Sequence, residues 1–387
     1  MSELKPALSG IRIIELGSMV AVPWGASMLG DMGADVIKVE PPQGEEGRSM
    51  GVGKDGQSGL FIGNDRSKRD IVLDLRSEDG KQQLRGLIAS ADMVIDNYRP
   101  SARKKLGVDY PDLVKIKPDI IAISVSTYGE TGADAGRPGI DPSAQASSGL
   151  MNINGEAGGD PLKVGIAIAD ATAANLVAYA AMVALWVRQT QGVGQHVSVS
   201  LEAGLVHVMP VHNGQYTVCD YVQERVGNGS FFYQPFQAFK CRDGRVIQIA
   251  AYNDKFFRNF CRALQREELA DDARFVSKDD RLANGDELNT ILSGIFLSHD
   301  SEQLMDWLIA ADTIAARVRS TAELFNDPES HHKGLVVAAQ HPTLGAIQLS
   351  GIPVKFSATP GFISRPPPLL GEHTDEVLKK VQRDDYE

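Results

Sequence analysis

Residues 10–40 read GIRIIELGSMVAVPWGASMLGDMGADVIKVE. Gly10–Leu16 is a short β-rich run, Pro23–Met32 has the composition of a helix, and Ala34–Glu40 is a second strand. The alternation continues with a strand at Ile71–Leu75, a charged helix at Glu78–Ala89 and a strand at Met93–Asn97. A helix at Pro111–Ile116 then leads into the apolar run Ile120–Val125. Strands and helices alternating at this spacing form βαβ units and a mostly parallel sheet, so the expected class is α/β. Ligands of such sheets sit beyond the carboxyl ends of the strands. Leu16–Pro23, Glu40–Pro42, Asn97–Arg99 and Ser126–Tyr128 are therefore the expected binding edge. The loop after the first strand is GSMVAVPWG and not G-x-G-x-x-G, which argues against a nicotinamide dehydrogenase.

Outward from that core, Gly132–Ser148 is dense in Gly, Pro and Ser and reads as a functional loop. Val197–Leu201 is an alternating strand that runs into an apolar helix at Ala203–Met209. Near Tyr221–Gln234 the chain turns polar and aromatic. A hairpin over Phe236–Ile249, turning at Asp243–Gly244, and helices at Asp254–Leu264, Gly285–Leu297 and Ser301–Ala310 follow. This middle region, at roughly 225–325, looks like a separate small domain. The tail is β-rich at Ala346–Phe356, Pro-rich at Thr359–Pro368, and helical at Asp375–Val381.

The chain has 387 residues and a formal net charge of -11. That balance argues against nucleic acid or an anionic membrane as the main partner. Three cysteines, Cys219, Cys241 and Cys261, include no C-x-x-C pair, and the eight histidines form no H-x-x-x-H pattern. No metal site and no disulfide framework are expected, which suits a cytoplasmic protein. The opening MSELKPALSG lacks the basic and apolar regions of a secretory signal. No apolar run approaches the roughly 20 residues that span a bilayer, so no membrane partner is expected. The most apolar helix, Ala171–Val187, reads as buried core.

Chemistry concentrates in VGIAIADATAANLVAYAAMVALW, residues 164–186. A short apolar run meets one carboxylate, Asp170, and then a long alanine-rich helix without Gly or Pro. Asp170 stands where an N-cap would, and the helix dipole there would favour its ionised form. Such a carboxylate reads either as a helix cap or as a nucleophile. Basic residues recur along the proposed edge: Lys38, Arg69, Arg76, Arg99, Arg103, Lys104, Lys105 and Arg137. Such clustering suits a phosphate-bearing ligand, although any one of them would ordinarily do no more than solvate a face. No G-x-S-x-G elbow and no G-x-x-x-x-G-K-[ST] loop is present.

Several stretches together resemble the class III CoA-transferase family, which also contains formyl-CoA transferase, carnitine CoA-transferase and the α-methylacyl-CoA racemases. The opening strand–helix–strand is similar to the family's own. NDRSKRDIVLDLRSEDG (64–80) resembles its N-R-x-K-R-x-x-x-L-D-L segment. DNYRPSARKKLGVDY (96–110) resembles its E-N-F-R-P-G segment, with Ser101 where glycine is usual. RPGIDPSAQASSGLM (137–151) and VGIAIADATAAN (164–175) are similar to the two active-site stretches, and the tail from His341 to Leu378 is family-like.

The resemblance implies a large Rossmann-like parallel-sheet α/β domain built from both chain ends (1–224 and 326–387), a small α+β middle domain (225–325), and an interlocked homodimer. It implies an acyl-CoA:carboxylate CoA-transferase with Asp170 as the nucleophile, a carboxylic acid as acceptor and no metal. Coenzyme A, as acyl-CoA, would lie along Lys38, Leu73, Leu75, Arg76, Asn97, Tyr98, Arg99, Lys105 and Arg137. Two departures refine this. The racemases carry a histidine in a G-H-D triplet, whereas this chain has Gly139-Ile140-Asp141, and isoleucine carries no proton. Formyl-CoA transferases place glutamine where this chain has Val20 and a glycine run near its Gly227–Ser230, which counts against a formyl/oxalate pair. Asp141 reads as a loop-capping residue or a catalytic one. The alternatives to a transferase are a racemase-type isomerase with Asp170 as general base, and a CoA-ester binding protein without catalysis.

Overall fold

A computed structural model describes residues 4–384 of the chain, and side chains through Lys379. The chain divides into two compact units. One comprises residues up to Met151, Lys163–Val222 and Pro328 onward; the other comprises Asn152–Leu162 and Gln223–Asp327.

The larger unit is built on six parallel strands: β1 (Arg12–Leu16), β2 (Asp35–Glu40), β3 (Lys68–Val72), β4 (Met93–Asp96), β5 (Ile121–Ser126) and β6 (His196–Ser200). Their order across the sheet is β3-β2-β1-β4-β5-β6. Ile13 pairs with Val36 on one side and Met93 on the other. The central strands β1, β2, β4 and β5 alternate apolar side chains between two faces, both covered, as a parallel sheet requires. Ile13, Val36, Ile95 and Ile123 point into one core with α1 (Ala21–Asp31). Ile14, Ile37, Val39 and Val94 point into another with Leu84, Leu87 and Ile88 of α2 (Glu78–Ala89). Strand order reverses between β1 and β4, and the carboxyl ends of these two strands diverge to leave a crevice.

The third strand lies three residues earlier than the apolar run Ile71–Leu75 suggests. Lys68, Arg69 and Asp70 are strand residues and are buried, although their charges mark a loop by composition. Ion pairs make that burial tolerable: Lys68 meets Glu15 and Asp65 at 2.7 Å each, and Arg69 meets Asp35 at 2.7 Å. β3 is an edge strand, and the C-terminal tail covers it. Ser67 N–H donates to Arg365 O, Val72 N–H to Thr374 Oγ1, and His373 N–H to Asp70 O.

Three helices of this unit bear on the site: α3 (Pro100–Leu106), α4 (Asp141–Ser147) and α5 (Ile168–Gln191). Helix α5 is 24 residues long, extending past both ends of the Ala171–Val187 helix expected from composition. It is long and apolar enough to cross a membrane by length and composition, which corrects the expectation of no such run. It also corrects the reading of this helix as wholly buried core. Ala169, Ala173, Val177, Ala181 and Ala184 form a buried stripe at helical spacing against α1. Gly25 of α1 permits this approach, since a Cβ there would stand 2.9 Å from Val177. The opposite face, with Tyr179, Met182, Val183 and Trp186, is exposed. α6 (Leu201–His207) and α7 (Pro210–Cys219) continue the unit.

The second unit has its own core. Strands β7 (Phe236–Lys240), β8 (Val246–Ala250) and β9 (Ile314–Arg317) form an antiparallel sheet with β8 central. Asp243–Gly244 makes the expected turn, with Gly244 at φ +79°. Phe239, Ile247 and Ile249 pack with Phe257, Phe260, Leu292, Phe296, Leu304 and Leu308 from the helices Asp254–Ala263, Gly285–Leu297 and Ser301–Ala310.

Candidate active site

A cavity of about 510 Å³ opens at the crevice between the carboxyl ends of β1 and β4. Its walls come from Ser18–Ala21 after β1, Asn97–Pro100 after β4 and Val125–Gly129 at the end of β5. The segments around Asp141 and from Gly165 to Ala167, with Asp170, close it. Of the expected binding edge, only Glu40–Pro42 lies away from the cavity.

Asp170 is not the N-cap of α5, as the sequence suggests. The helix begins at Ile168, and Asp170 sits in its first turn. The cap comes from elsewhere in the chain. Asp141 Oδ1 accepts the N–H groups of Ala169 at 2.6 Å and Asp170 at 3.3 Å. Its Oδ2 accepts from Gln145 Nε2 at 2.7 Å, and Gln145 Oε1 accepts Val164 N–H at 2.8 Å. Gln145 and Asp141 are both buried. The two side chains thus hold the irregular segment before α5 and the helix's first turn as one piece. Gly139 lets this loop approach β5, since a Cβ there would stand 2.6 Å from Thr127.

With the cap supplied by Asp141, the carboxylate of Asp170 is left without a hydrogen-bond or ion-pair partner among the described residues. Burial, and then the charge of Asp141, push its pKa up to about 6. The helix end is expected to hold Asp170 ionised; it is ionised at neutrality, but its pKa is raised and not lowered. Desolvation and a like charge outweigh the dipole. The result is an under-solvated carboxylate on a cavity wall that remains ionised near neutrality.

Several proposed cofactor-binding residues meet at this cavity: Asn97, Tyr98, Arg99 and Arg137 line it. Arg137 lies 5.1 Å from the Tyr128 ring and pairs with Asp134 at 3.1 Å. Arg99 is exposed and forms no ion pair among the described residues. Lys38, Leu73, Leu75, Arg76 and Lys105 are not brought to the cavity. Lys38 is fully buried and its ammonium is taken by Glu15, Glu45 and Asp65 at 2.9, 2.8 and 3.2 Å. Burial disfavours that charge, but Asp65, Glu15 and Glu45 outweigh it and hold the pKa well above the usual lysine value. Leu73 is core, Leu75 packs against it, and exposed Arg76 pairs with Asp74 at 2.9 Å. Lys105 is exposed on α3. Much of the basic rim is thus internal ion pairing: Arg103 is also buried, against Asp96, Asp109 and Glu130.

The sequence reading passed over Lys163, which lines the cavity, and Gln145. The (i, i+4) spacing of Asp141 and Gln145 on one helix was the available signal for the latter. No group of three or more His, Cys, Asp or Glu residues placed to hold a metal occurs among the described residues.

Residues 8–374 match the family model of CoA-transferase family III. The chain belongs to that family. The family III chain is 34% identical over 385 residues to the succinyl-CoA:glutarate CoA-transferase of Mus musculus, covering 99% of itself and 88% of that protein. It is 34% identical to the succinate–glutarate CoA-transferase of Agrobacterium fabrum, covering 99% and 97% respectively. Among solved structures, a CAIB/BAIF family protein from Brucella suis superposes with a TM-score of 0.90 at 30% identity, covering 98% of this chain and all of that one. The family III chain is a CoA-transferase, moving CoA between an acyl-CoA thioester and a carboxylate.

Proposed function

We propose that this enzyme transfers CoA from a dicarboxylic acyl-CoA of the succinyl-CoA type to a second dicarboxylate of the glutarate type, with Asp170 as the covalent nucleophile. The observation that carries the chemistry is an unpartnered, partly desolvated carboxylate on a cavity wall. The names of the two enzymes compared above support the substrate class.

An oxygen of Asp170 attacks the thioester carbonyl, the C–S bond breaks, and a mixed anhydride and CoA thiolate result. The thiolate attacks the aspartyl carbonyl of the anhydride, which forms an aspartyl-CoA thioester and releases the donor as a carboxylate. The acceptor carboxylate attacks that thioester, giving a new anhydride and thiolate. Thiolate attack on the acceptor's acyl carbon yields the new acyl-CoA and returns Asp170 as a carboxylate. No net proton or electron is exchanged. Each step is a displacement between groups of similar reactivity, which is what covalent catalysis provides. Asn97, Tyr98, Arg99 and Arg137 hold CoA at the cavity, with the arginines on its phosphates.

No observation favours the isomerase alternative. Ile140 precedes Asp141, and no histidine lines the cavity among the described residues. The exposed apolar face of α5, continued by Val206, Val211 and Tyr216 on α6 and α7, supports a homodimer, with a second copy of the chain and not lipid covering it. Three free cysteines suit the cytoplasm.

Intact-protein mass after incubation with succinyl-CoA and hydroxylamine tests the mechanism. A hydroxamate on Asp170, absent from the Asp170→Asn variant, is the expected result. Deuterium exchange at the substrate α-carbon with no adduct would overturn it in favour of general-base chemistry.

A further inference from the structure

The cavity wall contributed by Ser18–Val20 is held in an unusual backbone conformation by charges that never reach solvent. β1 ends at Leu16 and α1 starts at Ala21, so the chain must reverse within four residues. It does so with Met19 at φ +72°, a region that residues other than glycine seldom adopt. Strain of this kind persists only where the surroundings hold it.

Those surroundings are specific. Glu45 Oε2 accepts Met19 N–H at 2.7 Å, and Asn64 Nδ2 donates to Met19 O at 3.3 Å. Asn97 brackets the preceding residue, accepting Ser18 N–H at 3.2 Å and donating to Ser18 O at 2.9 Å. Glu45 is itself fixed. Its other oxygen pairs with Lys38 at 2.8 Å, and its own N–H donates to Glu40 Oε2 at 2.7 Å. Lys38 in turn is anchored on Glu15 and Asp65.

A glycine at position 19 would make this turn without assistance. Instead the chain places an unbranched, polarizable side chain on the wall and commits a buried carboxylate and a buried ammonium to its backbone. Buried ion pairs are weak contributors to stability against an apolar replacement, so specificity of geometry is the more economical reason for this one. Methionine's adaptable shape suits a wall that fits an acyl chain.

We propose that Glu45, anchored by Lys38, is a positioning residue that locks Met19–Val20 in one conformation and so sets which acyl groups the cavity accepts. The inference rests on the transferase reading for its substrates but not for its structural readout.

The test compares full-length wild type with Glu45→Ala, Glu45→Gln, Met19→Gly and the Met19→Gly/Glu45→Ala pair. Succinyl-CoA and acetyl-CoA serve as donors with glutarate as acceptor, and amide hydrogen exchange follows the peptide containing Met19. In Glu45→Ala, KM for succinyl-CoA should rise about tenfold, kcat should change less than about threefold, and preference over acetyl-CoA should narrow about fivefold. The Met19 amide should exchange faster. Glu45→Gln keeps an acceptor and should restore most of the KM. In the double variant glycine makes the turn unaided, so KM should recover at least about threefold while donor preference stays flat. A fall in thermal stability with unchanged KM and preference overturns the proposal, as does a double variant no better than Glu45→Ala. Where Glu45→Ala does not fold, Met19→Gly alone decides. Loss of donor preference supports the proposal, and full retention overturns it. Absence of transfer from succinyl-CoA to glutarate by wild type sinks the proposed donor and acceptor alone, and exchange at Met19 then judges the clamp, which unaltered exchange in Glu45→Ala overturns.

Discussion

Two regions of the larger unit handle charge in opposite ways. Beneath β1–β3, Glu15, Lys38, Asp65 and Lys68 are all buried and all paired, within 3.2 Å of an opposite charge. At the start of α5, Asp170 forms no ion pair among the described residues, and the charge that acts on it is another carboxylate. The first arrangement neutralises charge to let a strand with basic residues enter a sheet. The second leaves one charge unneutralised beside a cavity, where it can react. The difference lies in what each charge is left free to do, since a paired carboxylate is a poor nucleophile and an isolated one costs the fold something to keep.

The sharpest way to break this comparison is Asp170→Asn. Transfer should fall at least about a thousandfold, as for other lost nucleophiles, while stability at pH 7 should not fall, since a destabilised charge is removed. Lys38→Met should act first on stability. It leaves Glu45 without a cation and Glu15 and Asp65 sharing Lys68 in a dry site, and should destabilise the fold by about 3–5 kcal/mol, measured by urea denaturation. Asp141→Ala should fall between the two. It leaves the Ala169 and Asp170 N–H groups without their side-chain acceptor and Gln145 Nε2 with only the Ile166 carbonyl at 3.4 Å, at about 2 kcal/mol of stability. It should also slow transfer by freeing the start of α5. Next comes pH. With the folded pKa of Asp170 raised to about 6, the nucleophile protonates as pH falls through that value, so adduct formation should drop about tenfold per unit below pH 6. Burial also pushes Asp96, beside the cavity-lining Asn97, up to about 6, so the profile should be repeated in Asp96→Asn. A profile unchanged there assigns the titration to Asp170. The smallest effect is expected at Arg76→Ala, where an exposed, solvent-screened pair with Asp74 is lost, so neither the urea midpoint nor KM for acyl-CoA should move measurably.

The alternation from Gly10 to Val125 was enough to anticipate a parallel sheet and a binding edge at its carboxyl ends, because strand and helix periodicities are local. The helices Glu78–Ala89, Gly285–Leu297 and Ser301–Ala310 have the bounds their sequences suggest. Prediction failed where a distant partner changed the meaning of a residue. Lys68–Asp70 fall outside the strand read at Ile71–Leu75 because nothing local shows Glu15, Asp65 and Asp35 waiting for them. Lys38 read as a phosphate ligand because its three carboxylates lie at positions 15, 45 and 65.

Asp170 shows the division within one residue. The sequence by itself determined that a lone carboxylate stands at the head of an alanine-rich helix in an α/β chain, and the resemblance of the surrounding motifs gave it a chemical role. Whether that carboxylate would be consumed in capping its own helix was decided only by tertiary structure. Asp141, 29 positions away, takes the N–H of Asp170 itself, along with that of Ala169. Helix propensity acts over a few residues, whereas desolvation and hydrogen-bond competition act through space. It is the second kind of force that leaves Asp170 unpartnered at the cavity wall.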